Sequence, residues 1–387
     1  MDKMTADQID KMMRDAVADG VFPGGALLFS RCGEVLFNRV YGIIDTADPR
    51  PVRHRTFFDL ASLTKPLATT LAVMILIQQG KLDLDREIGD LIPAVSGNEK
   101  ARIRIADLLC HRSGLMDYRP YYLELGKLPF HERRSMLERR LAAEPLISPP
   151  GRQTRYSDIG FMMLEWIIRG VAGVSLERLV DRHVYHPLGI EDLFFIPIGE
   201  AHNGHVVSGA DDREFAATEN CPWRGYTVKG AVHDENAFVM GGVAGQSGLF
   251  GTASSIHYLL SSILAGYADD AENVAARPHP QQPSSTVLDP VLLRTFLKQQ
   301  EGSGRALGFD MPSVAGSSSG ALFSPTRTVG HLGFTGTSFW MDLCRSIIVI
   351  LLTNRVHPTR ANERIRWFRP RIHNAVMQYI QKMPPDL

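Results

Sequence analysis

The stretch Asp59-Leu-Ala-Ser-Leu-Thr-Lys-Pro66 sets a serine, Ser62, three residues ahead of a lysine, Lys65. An apolar run follows at once: Leu67, Ala68, Leu71, Ala72, Met74, Ile75 and Leu76. That run reads as a buried helix. If the helix starts near Ser62, residues i and i+3 lie one turn apart on one face, and the Lys65 amine sits beside the Ser62 hydroxyl. Pro66 falls in the first turn, where no intrahelical N–H is lost. The helix N-terminus adds partial positive charge that favours a nearby alkoxide or oxyanion. A serine hydroxyl is a weak nucleophile at neutral pH and needs a neighbouring base. A lysine desolvated against an apolar helix can lose its proton and act as one. The same letters also describe an ordinary N-cap serine beside a solvated lysine, so the rest of the chain has to decide.

With 387 residues, 44% hydrophobic and 22% charged, the chain has the composition of a globular protein of one large or two coupled domains. Its 42 basic and 42 acidic residues cancel. No basic stripe or charged tail stands out, so neither nucleic acid nor a membrane surface is expected as a partner. By inspection no uninterrupted apolar stretch reaches the ~18 residues of a membrane span. The polar start, Met1-Asp-Lys-Met-Thr, lacks a signal-peptide core, and a cytoplasmic location is the expectation. Cys32, Cys110, Cys221 and Cys344 are scattered without metal-ligand spacing. They read as reduced thiols, and neither metal nor cofactor is expected. Cys344 is expected in a core strand as a small buried hydrophobe.

Residues 5–19 read as an amphipathic helix with Thr5 as N-cap and Gly20 as stop. Residues 25–30 and 34–41 read as a β-hairpin across Arg31-Cys32-Gly33. From 67 to 200 the chain is mainly helical, and 200–235 reads as long loops. The glycine-rich run 241–251 has neither a phosphate-loop nor a dinucleotide spacing; closely packed backbone near a site is the better reading. Residues 268–289 read as a mobile surface insertion, followed by a helix at 290–297. Residues 328–332, 337–343 and 346–352 are strands, the last apolar enough to be buried on both faces. A long helix, 362–383, closes the chain. An economical fold joins both ends in one antiparallel sheet flanked by the terminal helices, an α/β (α+β) domain over residues 8–380. Residues 1–61 plus 230–387 would form its α/β lobe and 62–229 a mostly helical lobe, with a ligand cleft between them.

Two further motifs suit such a cleft. Tyr156-Ser-Asp158 follows a Pro-Pro-Gly turn and precedes an apolar helix. A tyrosine there could reach Ser62, and acts as a base only if a cation such as Lys65 lowers its pKa; it could equally be a packing aromatic. His331-Leu-Gly333-Phe-Thr-Gly lies at a strand edge. Gly333 would let substrate lie against the strand, and the Phe334 N–H, with that of Ser62, could face a developing oxyanion.

Ser62-Leu-Thr-Lys65, Tyr156-Ser-Asp158 and His331-Leu-Gly333, in that order, resemble the three motifs of the serine β-lactamase and penicillin-binding protein superfamily. The layout is most similar to class C β-lactamases and the esterases that share their fold, with further matches at 106–115, 186–190 and 241–250. The resemblance implies that Ser62 is acylated, that Lys65 is its base or tunes that base, and that Tyr156 activates Ser62 or protonates the leaving group. It also implies that His331 contacts substrate near the sheet edge and that the Ser62 and Phe334 amides form the oxyanion hole. Two positions depart from the pattern. Asp158 replaces a common asparagine: its carboxylate would hold Lys65 charged, or else point away and cap the next helix. His331 replaces a common lysine; a mostly neutral histidine should weaken binding of anionic β-lactams relative to neutral esters. The resulting expectation is a serine hydrolase working through an acyl-enzyme on carboxylic esters, with weak β-lactam turnover. A D-amino-acid peptidase or amidase acting on cell-wall-derived peptides is one alternative. A binding or sensor module, acylated without turnover, is another.

Overall fold

The computed structural model describes residues 4–199, 213–268, 287–313 and 316–383. Helix α1 (Ala6–Ala18) opens on a reciprocal cap: the Thr5 hydroxyl accepts the Gln8 N–H while the Gln8 side chain accepts the Thr5 N–H. Strands β1 (Gly24–Arg31) and β2 (Glu34–Gly42) form the expected hairpin. Its turn runs through left-handed Cys32 and Gly33. Near the other end lie β3 (Thr328–Leu332), β4 (Ser338–Asp342) and β5 (Ile347–Thr353). The five form one antiparallel sheet in the order β2-β1-β5-β4-β3. Gly25 stands opposite Thr353 and Arg31 opposite Ile347, so the two ends of the chain are paired along the whole of β1.

Strand alternation then sorts the side chains onto two faces. Leu27, Phe29, Val349 and Leu351 pack with Ile9 and Met13 of α1 and with Phe368, Ile372 and Val376 of the last helix, Ile365–Ile380. Leu28, Ile348, Ile350 and Leu352 join the larger core on the other face, shared with Ile256, Leu260 and Ile263 of the helix Ala253–Ala268 and with the helical block. All seven residues of β5 are buried, which accounts for its unbroken apolar run.

The helical block is built around Thr70–Gln78 and Asp158–Ala172. The helical run 61–78 is long and apolar enough by length and composition to span a membrane, contrary to the reading by inspection. It is 83% buried inside the protein, as the central helix of a core is. A small ribbon pairs Phe58–Asp59 and Leu193–Phe195 with the two sides of Leu249–Gly251. It fixes the chain before Ser62 against the glycine-rich run. Of the loop expectation at 200–235, the part 200–212 lies outside the described residues, as does 269–286 of the expected insertion. Cys344 departs from its expectation. It is exposed in the turn between β4 and β5, where its sulfur accepts from Arg327 at 3.1 Å.

Candidate active site

The chain enters the site through a bend. Ala61 takes a left-handed conformation, φ 49°, which a side-chain-bearing residue adopts only at some cost. The Asp59 carboxylate secures it by accepting the Ala61 N–H at 2.8 Å and the His233 N–H at 2.6 Å. Ser62 follows in a single 3₁₀ turn, Ala61–Leu63, rather than in the first turn of a regular α-helix. Lys65–Thr69 is then wound more widely, the Thr70 N–H reaching the Lys65 carbonyl five residues back. Pro66 lies inside this stretch and has no N–H to offer the turn before it. The three-residue spacing survives the irregularity: Lys65 Nζ lies 3.1 Å from Ser62 Oγ.

Lys65 is fully buried, and its Nζ faces oxygen on three sides. Nζ lies 3.1 Å from Ser62 Oγ, 3.0 Å from the Gln246 carbonyl and 2.7 Å from Asp158 Oδ1. Two hydrogen-bond acceptors and a carboxylate at ion-pair distance suit an ammonium. Burial works against the charge, but Asp158, with Tyr156 behind it, outweighs burial and raises the Lys65 pKa above its ordinary value. Of the two readings of Asp158, the ion pair is the one observed. Ser157 caps the helix in its place, accepting the Gly160 N–H at 3.1 Å.

Tyr156 is within side-chain hydrogen-bonding reach of both Ser62 and Lys65. Burial pushes its phenol up to about 12; Lys65 pulls it down, but the Asp158 carboxylate opposes that pull. His111 lies against the tyrosine, ring centroids 4.6 Å apart. Its Nδ1 accepts the Ser157 N–H at 3.0 Å, which puts the proton of the neutral ring on Nε2. Burial, then Arg305 and Lys65, hold His111 well below the usual histidine range. His111 was not singled out from the sequence, although it lies within the matching stretch 106–115.

A cleft of about 780 Å³ opens beside Ser62, with Tyr156, Asp158, Gln246, Gly333 and Phe334 on its wall. Among the described residues, neither the Ser62 nor the Phe334 amide donates to another protein group. Gly333 has a packing reason to be glycine: a Cβ there would lie 1.9 Å from Thr337 Oγ1 and 2.6 Å from the Leu60 carbonyl. The glycine-rich run is tight for the same reason. A Cβ on Gly245 would meet the Phe161 carbonyl at 2.1 Å, and the next residue, Gln246, presents its carbonyl to Lys65.

His331 is 1% exposed and is not among the residues that line the cleft, whereas Leu332 and Gly333 are. On the strand its side chain falls on the face opposite Leu332, behind Tyr156, with ring centroids 6.0 Å apart. Nδ1 bonds the Leu332 carbonyl at 2.9 Å, and Nε2 lies 3.9 Å from Asp310. Burial holds its pKa below the ordinary value. Spacing alone also missed Asp234, which burial and the nearby Asp158 push up to about 6, and two buried arginines of the cleft, Arg355 and Arg369. The only available signal for the arginines was their position around the start of the last helix.

Residues 9–371 match a family model described as Beta-lactamase. This chain belongs to the Beta-lactamase family. A protein of Escherichia coli (strain K12), provisionally named D-alanyl-D-alanine carboxypeptidase, is 31% identical over 385 residues, covering 91% of this chain and 82% of that protein. Among solved structures, a class C beta lactamase superposes with a TM-score of 0.69 at 17% identity, covering 95% of this chain and 97% of the other. EstCE1, a hydrolase with promiscuous acyltransferase activity, gives 0.68 at 21% identity, covering 94% and 98%. The family assignment makes the protein a serine hydrolase of β-lactamase/transpeptidase-like fold, a family that acts on ester, amide or β-lactam substrates.

Proposed function

We propose that the protein hydrolyses carboxylic esters through an acyl-enzyme on Ser62. The observation that carries the reading is the Lys65 ammonium, set on Ser62 Oγ at 3.1 Å with the Tyr156 hydroxyl in reach of both. In this mechanism Ser62 Oγ attacks the ester carbonyl and passes its proton to Tyr156 in its phenolate form. Lys65, held charged by Asp158, acts as a donor that lowers the cost of the alkoxide rather than as the base. The carbonyl oxygen, now an anion, is taken by the Ser62 and Phe334 amides. Tyr156 returns the proton to the departing alkoxide, and water then attacks the acyl group by the same steps in reverse order.

Esters suit this arrangement better than amides. A phenol at about 12 is rarely in the ionised form that can accept a proton at neutral pH, and an amine leaves less readily than an alcohol. One observation favours a D-amino-acid peptidase as the second reading. Arg366 lines the cleft and pairs with exposed Glu363 at 2.7 Å, leaving it accessible to a substrate carboxylate; the E. coli relative carries a peptidase name. The test mixes the protein with p-nitrophenyl acetate, nitrocefin and a D-alanyl dipeptide, with Ser62→Ala as control. Ester turnover lost by a factor of up to ~10⁶ in the variant supports the proposal. Release of D-alanine without ester turnover supports the peptidase. A stable adduct on Ser62 with no turnover of any substrate would mean an acylated binding module.

A further inference from the structure

We infer that Arg369 is a positioning residue for the oxyanion hole: it fixes the Gly333–Phe334 peptide so that the Phe334 N–H faces the cleft beside Ser62. The inference rests on the acyl-enzyme reading above.

Arg369 sits in the last helix, 7% exposed, and its Nη2 donates to the Gly333 carbonyl at 2.9 Å and the Thr337 carbonyl at 2.8 Å. Among the described residues no carboxylate pairs with it, and its nearest charged neighbour of note, Arg355, is another cation. Burying a guanidinium without a counter-charge is costly, and here the group is committed to backbone carbonyls. The carbonyl of Gly333 and the N–H of Phe334 belong to one planar trans peptide and point in opposite directions. Holding the carbonyl toward the helix therefore aims the N–H away from it.

The rest of the loop is tied in the same frame. The Gly333 N–H donates to the Thr337 carbonyl at 2.7 Å, the second acceptor of Arg369. Arg355 grips the next carbonyl, that of Phe334, through Nε at 2.8 Å and Nη2 at 2.5 Å. Thr335 Oγ1 and Thr337 Oγ1 donate to the Asp59 and Leu60 carbonyls at 2.7 and 3.0 Å, joining the loop to the chain just before Ser62. Among the described residues the Phe334 amide has no protein partner, inside a loop whose carbonyls are held. Gly333 itself has no side chain to resist rotation of that peptide, so the restraint comes from what holds its carbonyl: the Gly336 N–H at 3.1 Å within the turn and, from outside it, the guanidinium. A cation on the carbonyl also polarises the peptide and strengthens its N–H as a donor.

The experiment compares Arg369→Ala, Arg369→Lys and Ser62→Ala. It measures p-nitrophenyl acetate kinetics, thermal unfolding and the affinity of an arylboronic acid, whose Ser62 adduct places an oxygen in the hole. Arg369→Ala should lower kcat by about 10²- to 10³-fold, the cost of losing one oxyanion donor. KM should stay near its original value, boronate affinity should fall by a comparable factor, and millimolar guanidinium should restore part of kcat. Arg369→Lys, with one ammonium in place of a fork, should fall between the two. Should Arg369→Ala fail to fold, Arg369→Lys carries the same comparison. An Arg369 variant that loses thermal stability but keeps kcat and boronate affinity overturns the inference. So does a fall in kcat with unchanged boronate affinity. Activity that persists in Ser62→Ala would instead overturn the acyl-enzyme reading.

Discussion

Asp158→Asn should make the protein a faster esterase at neutral pH. In the native protein the carboxylate lies 2.7 Å from Lys65 Nζ and opposes the lowering of the Tyr156 pKa by that cation. With the phenol at about 12, only about 10⁻⁵ of it is ionised at about pH 7. Asparagine keeps the shape and removes the charge. The pull of Lys65 on Tyr156 is then unopposed, and one charge at close range moves a pKa by ~1–3 units. Phenolate would become about 10- to 1000-fold more abundant. A phenolate of lower pKa is also a weaker base, which offsets roughly half of that gain on a logarithmic scale. The net expectation is a rise of about 3- to 30-fold in kcat/KM for p-nitrophenyl acetate. The Lys65 pKa falls as well, so any base role it gains acts in the same direction. The assay is a pH–rate profile of both proteins. In the native protein kcat/KM should climb with pH without a plateau below the phenol's pKa, and in the variant the plateau should arrive earlier. A slower variant, or a profile that does not move, would refute the assignment of Asp158 as a brake and place its carboxylate on the proton path.

Gly333→Ala puts a methyl group against Thr337 Oγ1 and the Leu60 carbonyl. It should cost about 1–3 kcal/mol of stability by denaturant titration and lower kcat by about 10²-fold or more as the hole shifts. Burial alone would raise the Glu219 carboxyl, but hydrogen bonds from His233 and Arg360 bring it down to about 2. A depressed folded pKa stabilises the protein above the unfolded value and loses that contribution as pH falls from about 4.5 toward 2, an effect of ~3 kcal/mol. Glu219→Gln should flatten unfolding free energy across that window, and an unchanged slope would remove Glu219 from the account. His331→Lys places an ammonium behind Tyr156 rather than on the cleft wall. It should alter ester and β-lactam turnover together, whereas the original strand-edge reading requires a selective gain for anionic β-lactams.

Local pattern determined a good deal of this protein. The Ser62–Lys65 spacing brings the two groups together even through an irregular turn, because three residues span about one turn in any helical winding. Period-two alternation and the Thr5 cap set the sheet and the first helix, since both depend on neighbours in sequence. Tertiary structure decided the chemistry's balance. Asp158 could cap its own helix or pair with Lys65, and only the packing of the helical block against the Ser62 turn selects the pair. His331 is buried beside Tyr156 while Leu332 lines the cleft, because a strand sends neighbouring side chains to opposite sides, and which side is the core depends on what the strand packs against. Arg369 and Arg355 hold backbone carbonyls, and a carbonyl is the same at every residue, so no side-chain pattern in the sequence could have announced those contacts.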